Sequence, residues 1–151
     1  MKKIILVPFA LLLFSCNGSK STKDATSRPV TEARQSAKLY TVLSESVYQG
    51  KDSKSYEIIK DNESLITLYQ SVNDEQIPRI DFTKERIIAL FSGQKNSGGY
   101  AIKVVDVIEK GGKIYVTVQE TAPKSGENAT MAMTNPYTIV KINSTKEIVF
   151  K

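Results

Sequence analysis

Two features of the chain invite a chemical reading. One is a lone thiol, Cys16. The other is a glycine-rich tip, Gly93-Gln94-Lys95-Asn96-Ser97-Gly98-Gly99. A thiol near an N-terminus can be acylated, and a glycine loop can cradle a phosphate. The phosphate reading fails on two counts. A phosphate loop needs Gly-Lys-Ser/Thr after its second glycine, and a helix N-terminus must follow to hold the anion. Here the lysine precedes Asn96, and an alternating, strand-like run starts at Tyr100. Histidine is absent, which removes the commonest general base, the Ser-His-Asp triad and the commonest zinc ligand together. The carboxylates Asp74, Glu75, Asp81, Glu85, Asp106, Glu109, Glu120 and Glu127 are scattered over turns and polar faces. A pair of them has the chemistry of a glycosidase, but none sits beside an aromatic platform. A Ser-Lys dyad has no sequence signature to find. No catalytic residue, cofactor site or metal site is expected.

The thiol reads differently. Lys2 and Lys3 precede the apolar run Ile4–Phe14, broken only by Pro8. That run is too short to cross ~30 Å of hydrocarbon, and its flanks are those of a signal peptide. It ends in Leu13-Phe14-Ser15-Cys16, which resembles a bacterial lipobox, with Phe14 bulkier than usual at its place. The expected chemistry is diacylglycerol transfer to the Cys16 sulfur, cleavage before Cys16, and anchoring in the lipid bilayer by two or three chains, each buried methylene adding about 0.8 kcal/mol. The alternative is an ordinary secretory signal with a leftover thiol. As the only cysteine of the chain, an acylated Cys16 leaves the rest without a disulfide, a thiolate nucleophile or a thiolate metal site.

Residues 1–15 are thus expected to be a lipoprotein signal peptide, 16–37 the lipidated cysteine with a tether, and 38–151 one folded domain. The tether is rich in Ser, Thr, Lys and Ala and nearly free of large apolar residues. It buries too little to offset chain entropy, and as a flexible coil it would hold the domain roughly 25 Å from the bilayer. The expected location is the bacterial cell envelope, with the outer membrane favoured and the domain facing the periplasm or the surface. The 21 basic residues fall to 19 when Lys2 and Lys3 leave, against 16 acidic ones. An excess of +3 spread along the chain does not point to nucleic acid, whereas basic tether residues suit anionic headgroups.

The folded part reads as α+β: a mostly antiparallel sheet of about six or seven strands with one covering helix. Strands are expected from Lys38, over Ser55–Lys60, Arg86–Ser92, Gly99–Lys110, Lys113–Thr121, Tyr137–Ile142 and Glu147–Phe150. The helix is Asp61–Val72, with Leu65, Leu68, Tyr69 and Val72 on one face, Asp61 or Asn62 as cap and Asn73 as stop. Ile87–Phe91 is continuously apolar, so that strand should be covered on both faces, by the helix and by a second β layer. Lys110-Gly111-Gly112-Lys113 is a hairpin turn. Ile102 and Val104 share one parity while Val105 and Val107 share the other, which calls for a bulge.

Two loops remain, Gln94–Gly99 and Ala122–Pro136. Long connections inside a compact domain are often functional. The second carries Met131 and Met133, either as plugs for the end of the sheet or as adaptable contacts.

The stretch from Ile80 to Ile142 resembles the C-terminal domain of the protease complex subunit PrcB family. The carrying residues are Ile80-Asp81-Phe82, the apolar strand ending in Gly93, Ser97-Gly98-Gly99-Tyr100 with Ile102, Pro123, and Pro136-Tyr137 before Ile139-Val140. The resemblance implies a non-catalytic lipoprotein that associates with a secreted or surface protease and supports its maturation or stability. Combined with the loops, it makes Gly98, Gly99, Tyr100, Met131, Met133, Asn135, Pro136 and Tyr137 the candidate partner contacts. The alternatives are a peptidase-inhibitor-like module, a structural envelope lipoprotein without a protease partner and, last, a hydrolase.

Overall fold

The computed structural model describes residues 39–124 and 130–151. The expected signal peptide, the expected lipidation site Cys16 and the expected tether lie outside the described residues. The elements in order are β1 (Tyr40–Ser46), β2 (Ser55–Ile59), α1 (Asn62–Ser71), β3 (Arg86–Phe91), β4 (Ala101–Lys110), β5 (Lys113–Thr121), β6 (Tyr137–Ile142) and β7 (Glu147–Phe150).

Local chemistry fixes both ends of α1. Asp61 is extended and caps the helix by accepting from Ser64 N at 2.8 Å. Its carboxyl is held below the ordinary value by that backbone bond and by the Ser64 hydroxyl. At the other end Asn73 turns left-handed at φ 52. Asp74 N then bonds Tyr69 O and Asn73 N bonds Gln70 O, which satisfies two carbonyls that the helix leaves open. Leu65, Leu68, Tyr69 and Val72 are buried, as their spacing requires.

The α+β character holds, but the strands do not form a single sheet. They form a four-stranded antiparallel sheet, β1-β6-β3-β2, and a three-stranded sheet, β4-β5-β7. The reason lies in β3 and β6, which pair from Arg86↔Ile142 to Phe91↔Tyr137. Ile87, Ala89, Phe91, Tyr137 and Ile139 meet α1 on one face, and Ile88, Leu90, Val140 and Ile142 meet the second sheet on the other. Each fully buried Ile or Leu contributes about 1.5–3 kcal/mol. Leaving either face of this pair uncovered would forfeit several such terms, so the remaining strands build a lid.

The C-terminus completes that lid. Asn143–Lys146 does not return β7 alongside β6. It carries β7 across to the other sheet, parallel to β5, with Lys113↔Glu147 to Val116↔Phe150 in register. There Ile148 and Phe150 close the inter-sheet core, and Phe150 packs against Tyr56 with ring centroids 5.3 Å apart. The β4–β5 hairpin turns at Gly111 and Gly112, both at positive φ (58° and 75°), as a two-residue turn of this kind demands. The register of β4 on β5 slips between Val104 and Asp106, so Val105 is left outside the ladder and exposed. A second slip, between Val42 and Ser44, interrupts β1.

Tyr69 gives the fold a pH signature. Its phenol is pushed up to about 12, first by burial and then by the nearby charges of Asp74 and Tyr137. The folded value lies above the ordinary 10.0. Neutral Tyr69 therefore stabilises the fold fully below pH 10.0, and that contribution is lost as pH rises through about 12. In urea titrations across this window the midpoint should fall with rising pH, and Tyr69→Phe should fall less steeply. Parallel profiles for the two proteins would contradict the assignment.

Candidate functional site

The two loops singled out in the sequence meet at one end of the sandwich, and the buried side chain of Thr134 ties them together. Thr134 and Lys95 form a two-residue antiparallel bridge, with Lys95 N donating to Thr134 O at 2.8 Å and Thr134 N donating back at 3.0 Å. The Thr134 hydroxyl donates to Ser97 O at 2.8 Å. Gly98 N donates to Thr130 O at 2.9 Å, and a Cβ on Gly98 would stand 2.3 Å from Thr130 Oγ1. Glycine is needed here so that the loops can approach. Gly99 sits at φ +87 over Pro123.

A third loop, residues 47–54, completes the cluster. Asn135 N donates to Val47 O and Gly50 N donates to Asn135 O, both at 2.8 Å. The Asn135 amide reaches Asp52 Oδ1 at 2.8 Å, and Gln94 N donates to Asp52 O. Sequence reasoning missed this loop. Its signal was the turn-forming run Gln49-Gly50-Lys51-Asp52-Ser53, which carries no long-range information about where it docks.

The candidate contacts divide by burial. Met131 is 98% exposed and Met133 60%. The plug reading of the methionines is therefore overturned, because Thr134 and Tyr137 already fill the interior at this end. Tyr137 is buried, lies 6.1 Å from the Phe91 ring and shares a hydrogen bond with the Ser44 hydroxyl at 2.9 Å. Gly98 and Pro136 are buried as well. These three shape the loops and present little surface of their own. Gly99 is exposed, and Tyr100 and Asn135 are half-buried; Lys95 Nζ lies 5.6 Å from the Tyr100 ring centre. Val47 and Tyr48 are exposed on the third loop. Together with Met131 and Met133 they give the cluster an apolar tip on a hydrogen-bonded base.

Beside the cluster, between the end of β1 and the start of β4, lies a cleft of about 210 Å³ lined by Val47, Ala101, Pro136 and Thr138. Lys103 and Glu45 stand 4.0 Å apart on its rim. Its volume suits one or two side chains and falls short of the roughly 300 Å³ at which small-molecule pockets begin.

Most of the described carboxylates have structural partners, Glu85 with Lys141 and Glu109 with Lys146 among them, and Glu127 lies outside the described residues. Glu120 accepts from Lys54 at 2.5 Å and from Tyr56 at 3.2 Å. Burial pushes Glu120 up, but the Lys54 hydrogen bond and charge carry it below the ordinary value. Asp74 accepts from Ser44 at 3.0 Å, which joins the end of α1 to β1. Asp81 accepts from Thr83 at 2.5 Å, a bond that lowers its carboxyl. Among the described residues no group of three or more His, Cys, Asp or Glu could hold a metal ion, and no helix is long and apolar enough to cross a membrane.

The hub makes a direct prediction. Thr134→Val removes the bond to Ser97 O at a buried position and should cost about 1–3 kcal/mol, with Thr134→Ser recovering most of it in urea unfolding. A Val variant as stable as the parent would show that the loops are not held through this hydroxyl.

No curated protein and no solved structure matches the chain. The resemblance read from the residues does find its counterpart: the family model described as PrcB C-terminal matches residues 86–143, which span both central strands, the β4–β5 hairpin and the two loops that Thr134 joins.

Proposed function

We propose that this chain is a non-catalytic, lipid-anchored accessory subunit that binds a secreted or surface protease of the bacterial envelope through the loop cluster. The observation that carries the reading is the apolar tip. Tyr48 is 61% exposed, Met133 60% and Met131 98%, all on loops whose bases are fixed by backbone hydrogen bonds. A rigid base reduces the ordering cost of binding, and exposed aromatic and methionine side chains are typical interface anchors. The match to the PrcB C-terminal model supports a protease-associated role.

The anchored arrangement leaves the loop cluster free. The chain enters the domain beside Tyr40, and the loop cluster begins past Ser46, at the far end of β1. Seven residues of strand separate the two by about 20 Å. The tip therefore lies at the end of β1 opposite the chain's point of entry, where a tether from acylated Cys16 would not cover it.

A second reading rests on Met131 alone. A fully exposed apolar side chain on a braced loop also suits insertion into a protease cleft. An inhibitor would slow turnover by a purified protease, and an accessory subunit would leave it unchanged or raise it.

Affinity purification of the detergent-solubilised chain tests the main reading. The expected result is one protease at stoichiometric yield, and recovery of none would sink it. Tyr48→Ala combined with Met133→Ala should cut recovery by about tenfold or more, the scale of interface anchors. The melting temperature should stay unchanged, because neither side chain belongs to the core.

A further inference from the structure

We propose that Met131 and Met133 form an oxidation site, at which conversion to the sulfoxide makes the tip polar without unfolding the domain. The effect on a partner rests on the reading above, but the site itself does not. The sulfur inventory is the starting point. The chain has one cysteine and three methionines. Among the described residues Met131 and Met133 are the only sulfur side chains, and the chain has no tryptophan.

Placement then determines the consequence. Met131 is 98% exposed and Met133 60%, so both thioethers meet solvent oxidant directly. Neither belongs to either hydrophobic core. Their segment is held by main-chain bonds at Thr130, Thr134 and Asn135 and by the Thr134 hydroxyl, none of which involves sulfur. Oxidation of a buried methionine would disrupt packing; here it changes only the surface.

The reaction balances with a peroxide. The thioether sulfur attacks one peroxide oxygen, the S–O bond forms and the O–O bond breaks. Sulfur loses two electrons, and the peroxide is reduced to water. The product is a polar, chiral sulfoxide that methionine sulfoxide reductases return to the thioether. An adaptable apolar contact becomes one that must be desolvated on binding, which opposes docking.

The test uses the full detergent-solubilised chain and limiting hydrogen peroxide. Peptide mass mapping should find one added oxygen on each methionine, with Met131 modified before Met133. Retention on a butyl hydrophobic-interaction resin should fall, and the melting temperature should not move. The double variant Met131→Leu with Met133→Leu should show no peroxide-dependent loss of retention. Where untreated chain recovers a partner, oxidised chain should recover about tenfold less, and sulfoxide reductase with a thiol reductant should restore it. Either methionine escaping modification, a lowered melting temperature on oxidation, or an equal retention loss in the Leu variant would overturn the proposal. If untreated chain recovers no partner, the proposed function fails, and the mapping, retention and melting arms still decide the oxidation site.

Discussion

The structure depends on one constraint: β3 and β6 are apolar on both faces. Every residue from Ile87 to Phe91 is fully buried, as are Ile139, Val140 and Ile142. A strand pair of this kind cannot form the outer wall of a two-layer domain, because one row of isoleucines would face water. It must be the middle layer. The helix supplies one cover through Leu65, Leu68, Tyr69 and Val72, and the hairpin β4–β5 with β7 supplies the other. The crossing of β7 follows from the same demand. Both edges of β6 are already paired, with β1 and β3, so β7 adds to β5 instead and brings Ile148 into the inter-sheet core.

The three-layer arrangement also creates the loop cluster. β1, β3 and β6 all reach the same end of the middle sheet, where Ser46 opposes Tyr137 and Phe91 opposes Tyr137 from the other side. The chain leaves or enters each strand there, so the connections 47–54, 92–100 and 130–136 must share space. Shared space forces polar bookkeeping: backbone groups buried by neighbouring loops need partners. The bonds through Thr134, Asn135 and Asp52 supply them. The cleft beside them is correspondingly small, about 210 Å³.

The legible part of the sequence was the part governed by short-range pattern. The helix ends at Asp61 and Asn73, the glycine turn at residues 111–112, the bulge beside Val105 and the double burial of Ile87–Phe91 all follow from local spacing and backbone preference. Sheet membership was not legible. Glu147-Ile148-Val149-Phe150 reads as a strand in either sheet, and only the empty edge of β5 decides which one it joins. The third loop escaped for the same reason: Asp52 and Asn135 are 83 residues apart, and nothing in either's neighbours encodes the pairing. The methionines were undecided because Thr-Met-Ala-Met-Thr has no periodicity strong enough to assign a face.

Burial also separates two kinds of information within the cluster. Most residues that carry the family resemblance are structural. Gly98 permits loop approach, Pro136 and Tyr137 close the interior, Ile102 and Val140 pack between the sheets, and Ile80 and Phe82 flank the helix-side core. Such residues specify a frame that many chains can share, whatever each one binds. The side chains most exposed at the tip, Tyr48, Met131 and Met133, lie outside that set. If the frame recurs while the tip varies, and the tip binds a partner as proposed, relatives with this fold will differ in partner chiefly at positions corresponding to 47–48 and 131–133. Exchanging those few residues between two such chains would then move partner preference without disturbing the buried strands, because none of the three side chains contributes to either core.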